Sequence, residues 1–202
     1  MSLLPGWGMD ARVFEPLLQA LGQALPPGVV CGWSIGALQA MHSPPPGARA
    51  LVLIAATPRF VAADDWPQGL APPSFERFVA GMKTAPERTL KTFLALQTVG
   101  DARGAAVGRQ LAAACEPARA DTGGLEFLAT TDLREKAAKL HLPVLLIHGE
   151  EDRLVSLAAG QWLAQTLPAA RIVTLPQVSH APHLSAPEVV AQALRAFFQS
   201  LQ

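Results

Sequence analysis

The stretch Val29-Val30-Cys31-Gly32-Trp33-Ser34-Ile35-Gly36-Ala37-Leu38 constrains this chain more than any other, because it sets a serine between two glycines where an apolar strand should turn into a helix. A strand that passes straight into a helix brings the two backbones close together, so the residues two before and two after the turn must be small. Gly32 and Gly36 meet that need. The pattern predicts a sharp elbow with Ser34 at its apex in strained backbone angles. The first helical N–H groups, Ile35 foremost, then point at whatever the serine hydroxyl attacks. A glycine-flanked serine also occurs in plain turns. The apolar run before this one, and the helical run Ala37 to His42 after it, favour the elbow.

Around the elbow the chain reads as alternating strands and helices. Leu3-Leu4 reads as the tail of a strand, followed by a loop at Pro5-Gly6-Trp7-Gly8. A helix is expected over Asp10 to Leu25, with Val13, Leu17, Leu18, Leu21 and Leu25 recurring at helical spacing. Ala50 to Ala55 is a continuous apolar run of the kind buried in parallel sheets. From Thr57 to about His141 the pattern changes to helices without strands: Ser74 to Met82, Pro86 to Val99 and Gly104 to Cys115. Leu142 to His148 resumes the sheet, and Leu157 to Leu167 reads as a helix. Arg171 to Leu175 is a further strand. Ser185-Ala186-Pro187-Glu188 has the form of a capping box launching a last helix to about Ser200. The expected organisation is a core from residues 1–56 and 142–202 with a helical cap, 57–141, inserted between them.

A chain of 202 residues suffices for one domain, with or without such a cap. Sixteen basic residues balance sixteen acidic ones, which argues against a nucleic-acid binder or a strongly cationic membrane-surface protein. Cys31 and Cys115 are too few and too far apart for a disulfide framework or a zinc site, which favours a reducing compartment. The first residues lack a basic segment followed by a long apolar one, and no apolar run approaches the roughly eighteen residues of a membrane span. A soluble, cytoplasmic protein is the expectation.

In an open parallel sheet, functional groups gather at the carboxyl ends of the strands. Ser34, Asp152 and His180 fall there in the order nucleophile, acid, base. His180 would take the serine proton, and Asp152 would fix the imidazole tautomer. Rivals exist for two of them. Glu150 and Glu151 follow the same strand, but Asp152 lies where the loop turns. His183 sits three residues beyond His180, which is favoured because Ala181-Pro182 can fix a short turn after it. His148 reads as a structural partner near the site. A second oxyanion donor is expected from the Gly6-Trp7-Gly8 loop through the Trp7 N–H, with its indole walling the acyl pocket; a glycine-rich turn around a partly buried tryptophan is the other reading. Lys83, Arg88, Lys91, Arg103 and Arg109 make a locally positive region in an otherwise neutral chain. It reads as either a solvated helix face or a docking surface for an acidic partner.

With these residues in place, the chain resembles the α/β-hydrolase superfamily, and within it the pimeloyl-[acyl-carrier protein] methyl ester esterases of biotin biosynthesis. The resemblance rests on Gly6-Trp7-Gly8, Gly32-Trp33-Ser34-Ile35-Gly36, Asp65-Trp66-Pro67 and Phe93-Leu94-Ala95-Leu96-Gln97-Thr98. Further along it includes Gly123-Gly124-Leu125-Glu126, Thr131-Asp132-Leu133-Arg134 and His180-Ala181-Pro182. It implies a mostly parallel α/β-hydrolase sheet with an inserted helical cap, a catalytic triad of Ser34, Asp152 and His180, and an oxyanion hole of Trp7 and Ile35. The implied substrate site comprises Trp7, Ser34, Ile35, Phe93, Leu94, Ala95, Leu96, Gln97 and His180. The implied reaction frees a carboxylate and methanol without metal or organic cofactor, on an acidic acyl-carrier protein that Arg88, Lys91, Arg103 and Arg109 would dock. Relatives carry further strands before the oxyanion loop and between it and the elbow, so a sheet reduced at its N-terminal edge is expected, as a monomer or as a dimer paired through that edge. Pro5 stands where many relatives carry histidine. A general short-chain carboxylesterase, and an impaired hydrolase-like binding module, are the competing readings.

Overall fold

Every residue of Val29–Trp33 (β2), Ala50–Ile54 (β3) and Val144–Gly149 (β4) is buried, which is why these segments are nearly unbroken apolar runs. With Ser2–Leu4 (β1) and Ala170–Leu175 (β5) they form one parallel sheet in the order β1-β2-β3-β4-β5. The register sets Gly32 beside both Leu4 and Leu53, and Ile147 beside both Ile54 and Val173. This computed structural model describes residues 2–201; positions 1 and 202, the outer limits expected for the core, lie outside the described residues. The reduced sheet expected from the sequence is the sheet observed, with three-residue β1 at its edge.

Helices cover both faces. Glu15–Leu21 (α1) and Pro187–Gln199 (α10) pack Leu17, Leu21, Val190, Leu194 and Phe197 against Cys31, Val52 and Ile147. On the other face, Ile35–His42 (α2) and Leu157–Thr166 (α8) pack Leu38, Met41 and Leu163 against Val30, Leu51 and Leu146. Alternate residues of each strand serve opposite faces, as the two-residue period requires. Between β3 and β4 lie Pro72–Thr84 (α3), Pro86–Leu96 (α4), Gly104–Ala114 (α5), Thr122–Thr130 (α6) and Arg134–Ala137 (α7). Pro182–Ser185 (α9) is a single turn after β5. Among the described residues, no helix is long and apolar enough to cross a membrane.

Three local expectations change. The helix expected over Asp10 to Leu25 is a 3₁₀ turn, Ala11–Phe14, followed by α1. Pro16 has no N–H to give Arg12, so the α-helix starts afresh with the proline in its first turn; Gly22 ends it in the left-handed region at φ 68°. Helix α6 is not among the three helices expected in this segment, and its Gly123-Gly124 pair is a poor helix former. It forms because Asp121 caps it, accepting the Gly124 N–H at 2.7 Å. A Cβ on Gly124 would also stand 2.6 Å from Trp7 Cδ1, so this glycine lets α6 approach the Trp7 loop. The capping box at Ser185 is not made, since Ser185 Oγ donates to Asp101 instead.

The motifs Asp65-Trp66-Pro67 and Thr131-Asp132-Leu133-Arg134 join each other. Arg134 reaches Asp65 at 2.8 Å and Asp132 at 2.7 Å and lies over the Trp66 ring, while Trp66 Nε1 donates to Arg59 O. The paired carboxylates raise the Arg134 pKa further and hold those of Asp132 and Asp65 down. These residues tie the start of the helical segment to its end and take no part in the site described next.

Candidate active site

Ser34 stands between β2 and α2 at φ 57°, ψ −120°, a backbone conformation that non-glycine residues rarely adopt. The elbow is possible because its flanks are glycine. A Cβ on Gly32 would lie 2.5 Å from Gly36 O, and one on Gly36 would overlap Leu4 O outright. The Ser34 N–H is held by Ile54 O of the neighbouring strand at 2.9 Å, so the strained turn is anchored to the sheet.

Two more loops at the same edge of the sheet complete a chain of hydrogen bonds. Ser34 Oγ lies 2.9 Å from His180 Nε2, and His180 Nδ1 lies 2.7 Å from Asp152 Oδ2. Asp152 Oδ1 accepts the N–H groups of Leu154 and Val155 at 2.9 and 3.0 Å. Burial alone would raise the Asp152 carboxyl. The His180 charge and hydrogen bond, His148 and the Val155 amide outweigh burial and hold the carboxyl below its ordinary range. Its ionised form therefore persists in a dry setting, with Nδ1–H donating to it and Nε2 left to accept from Ser34.

The residues around this chain fix its geometry. His148 Nε2 donates to Val155 O at 2.9 Å and sits 3.7 Å from Asp152 Oδ2, bracing the Asp152 loop. Burial lowers the His148 pKa against the opposing pull of Asp152. Trp33 Nε1 donates to His180 O at 2.8 Å, a contact its position inside the elbow motif did not signal. His183 lies off the chain, wholly buried between the rings of Phe14 and Trp33, with neither ring nitrogen hydrogen-bonded among the described residues. Glu150 and Glu151 are also outside it.

A cavity of about 530 Å³ opens at Ser34, within the range of roughly 300–1,000 Å³ common for small-molecule sites. Trp7, Phe78 and Phe93 wall it, packed edge-on or tilted at 5.1 to 5.5 Å, with Trp7 Nε1 tied to Asp121 O. Of the residues expected at the substrate site, Trp7, Ser34, Phe93 and Leu96 line this cavity. Ile35 lines a separate, smaller cleft beside Trp7, and Leu94 packs toward the α1–α10 core. Gln97 is buried, and its carbonyl accepts the His180 N–H. Phe60, Phe78 and Leu128 line the cavity from segments whose sequence carried no site motif. The Trp7 and Ile35 N–H groups engage no backbone carbonyl among the described residues.

The basic residues divide. Arg88 lines the cavity, joined by Arg77 of α3, and neither forms a salt bridge among the described residues. Lys91 and Arg109 are exposed, whereas Arg103 donates to Ser185 O at 2.8 Å.

Comparison with known proteins bears on the family and the fold. Residues 3–193 match the sequence pattern of the "Alpha/beta hydrolase family". The chain is 40% identical over 210 residues to a pimeloyl-[acyl-carrier protein] methyl ester esterase of Stenotrophomonas maltophilia, covering 98% of this chain and 81% of that one. It is 43% identical over 205 residues to the protein of the same name from Aromatoleum aromaticum, covering 92% and 81%. Among solved structures, a bromoperoxidase from Bacillus anthracis superposes with a TM-score of 0.83 at 19% identity, covering 98% of this chain and 91% of that one. An esterase from Exiguobacterium antarcticum gives 0.82 at 15% identity with the same coverage. These two likenesses concern the fold.

Proposed function

The chain belongs to the alpha/beta hydrolase family, and we propose that it is a serine carboxylesterase that hydrolyses the methyl ester of pimeloyl-[acyl-carrier protein] in biotin biosynthesis. The observation that carries this reading is the unbroken Ser34–His180–Asp152 hydrogen-bond chain opening on an apolar cavity. The relatives named for that substrate supply its identity. Ser34 Oγ attacks the ester carbonyl as its proton passes to His180 Nε2. Asp152 stabilises the imidazolium, and the Trp7 and Ile35 N–H groups receive the oxyanion. The proton returns to the departing methoxide, releasing methanol. A water activated by His180 then cleaves the acyl-enzyme to give the carboxylate and restore the Ser34 hydroxyl.

The helical segment 57–141 acts as a cap whose apolar inner wall holds the acyl chain. Arg77, Arg88 and Lys91 present positive charge near the cavity mouth to an acidic carrier, which raises encounter rate and sets orientation more than it adds affinity. Arg103 and Arg109 complete the docking surface expected from the sequence, with Arg103 already serving the fold through Ser185.

The test offers methyl pimeloyl-carrier protein and a free p-nitrophenyl ester side by side. Wild type should turn over both, and Ser34→Ala neither. Lys91→Glu, at an exposed position of α4 outside the cavity lining, should slow the carrier-bound ester while sparing the small one. Folded wild type inert toward both esters would overturn the esterase reading, and equal losses on both substrates would overturn docking through α4.

A further inference from the structure

We propose that Asp101, on the turn between α4 and α5, is a positioning residue that holds the His180 loop in register with Ser34. This rests on the reading of Ser34, His180 and Asp152 as the catalytic groups. The loop between β5 and α9 has no sheet or helix ladder of its own, so its peptide groups need partners from elsewhere. The turn 97–103 supplies them. Asp101 Oδ2 accepts the Ser179 N–H at 3.0 Å, directly before His180. Asp101 Oδ1 accepts Ser185 Oγ–H and the Arg103 N–H, both at 2.8 Å, and Arg103 in turn donates to Ser185 O at 2.8 Å. Ala102 N–H donates to Gln177 O at 2.9 Å, and His180 N–H to Gln97 O at 3.3 Å. Both ends of the segment carrying His180 are therefore fastened to one turn, and Asp101 bonds to each end.

The same turn also touches the loop that carries the acid. Gly100 adopts φ 85° against Glu151, where a Cβ would lie 3.0 Å from Glu151 Cβ, and Ser179 Oγ donates to Glu151 O at 3.3 Å. Helix α4, which puts Arg88, Phe93 and Leu96 on the cavity, ends at this turn. One seven-residue segment thus ties the cavity wall to the loops of both His180 and Asp152. A carboxylate suits position 101 because two oxygens there accept from three donors. Asparagine can satisfy Ser179 N–H and turn its amide toward Ser185 Oγ, so it restores part of the clamp; alanine restores none.

The experiment measures kcat and KM for p-nitrophenyl acetate, and the second-order rate of Ser34 modification by diethyl p-nitrophenyl phosphate, for wild type, Asp101→Ala, Asp101→Asn and Ser185→Ala. Thermal unfolding shows that each is folded. Misplacing a catalytic group by about 1 Å can cost ~100-fold, so Asp101→Ala should lose roughly 10- to 100-fold in kcat and in modification rate, with KM changed by less than about threefold. Asp101→Asn should recover part of that loss, and Ser185→Ala should show the mildest effect. A folded Asp101→Ala modified at the wild-type rate overturns the proposal. Should that variant not fold, wild-type kcat and modification rate in both Asp101→Asn and Ser185→Ala overturn it equally. Wild type that resists modification altogether removes the catalytic reading first, and this proposal with it.

Discussion

His183 offers the sharpest physical test of how this site is built. Its imidazole is wholly buried between Phe14 and Trp33 with neither nitrogen paired among the described residues, and burial followed by the nearby His180 pushes its pKa down to about 3. In the unfolded chain the same group titrates near 6.5. The folded protein therefore refuses a proton that the unfolded chain accepts, and stability present above pH 6.5 is lost as pH falls toward 3. The loss is about 2 kcal/mol by pH 5 and grows by ~1.4 kcal/mol for each further unit. The perturbation is His183→Leu, which keeps an apolar side chain of similar volume between the two rings. Urea unfolding of both proteins at pH 7.5, 6 and 5 isolates this one proton, because the other titrating groups, His148 among them, contribute alike to each. The variant should lose about 2 kcal/mol less than wild type between pH 7.5 and 5. At pH 7.5 it should be no less stable, since each unpaired buried polar atom costs about 1–3 kcal/mol. Parallel stability curves across that range would refute the reasoning, for they would mean that the folded state protonates His183 as readily as the unfolded chain does.

Other outcomes follow from the same geometry. Asp152→Asn should keep the fold but lower kcat by about 10⁴-fold, because an amide in place of the carboxylate favours the wrong imidazole tautomer; steady-state kinetics on a p-nitrophenyl ester check this. Gly36→Ala drives a Cβ into Leu4 O, a backbone atom that no rotamer can move aside. It should cost at least ~1–3 kcal/mol, seen as a lower melting temperature, with activity falling further because β1 carries the Trp7 loop.

Much of the architecture was legible because the signals were local and agreed with one another. The buried runs of β2, β3 and β4 and the paired glycines around Ser34 each admit one economical reading, and the short loops after β4 and β5 place Asp152 and His180 near that elbow. What the sequence hid was set by distant partners. Gly123-Gly124 gives no helix signal of its own, and only the fold shows Trp7 filling the space beside Gly124. Ser185 reads as a helix cap until Asp101, 84 residues away, is seen to take its hydroxyl. The resemblance puts Leu94 beside Phe93 at the substrate site, yet Phe93 faces the cavity while Leu94 packs toward the α1–α10 core. Helical spacing alone does not say which side of α4 meets the cavity.

Backbone strain gives an independent argument for where the function lies. The non-glycine residues with positive φ among the described ones are Ser34, Ala55 and Gln177, and they follow β2, β3 and β5 at the carboxyl edge of the sheet. At the opposite edge, Gly28 and Gly47 take the left-handed positions that lead into β2 and β3. Glycine adopts those angles without steric penalty, whereas a side chain there costs about 1–3 kcal/mol. Ser34 cannot be glycine if its hydroxyl is the nucleophile. Gln177 stands where its carbonyl accepts the Ala102 N–H from the turn that clamps the His180 loop. The same edge also carries a buried Asp152 carboxylate and a His183 ring without a hydrogen bond among the described residues, two further departures from what would be most stable. Strain, buried charge and an imidazole without a hydrogen-bond partner among the described residues, gathered on one rim of the sheet, are expected where a chain gives up stability to hold reacting groups in place.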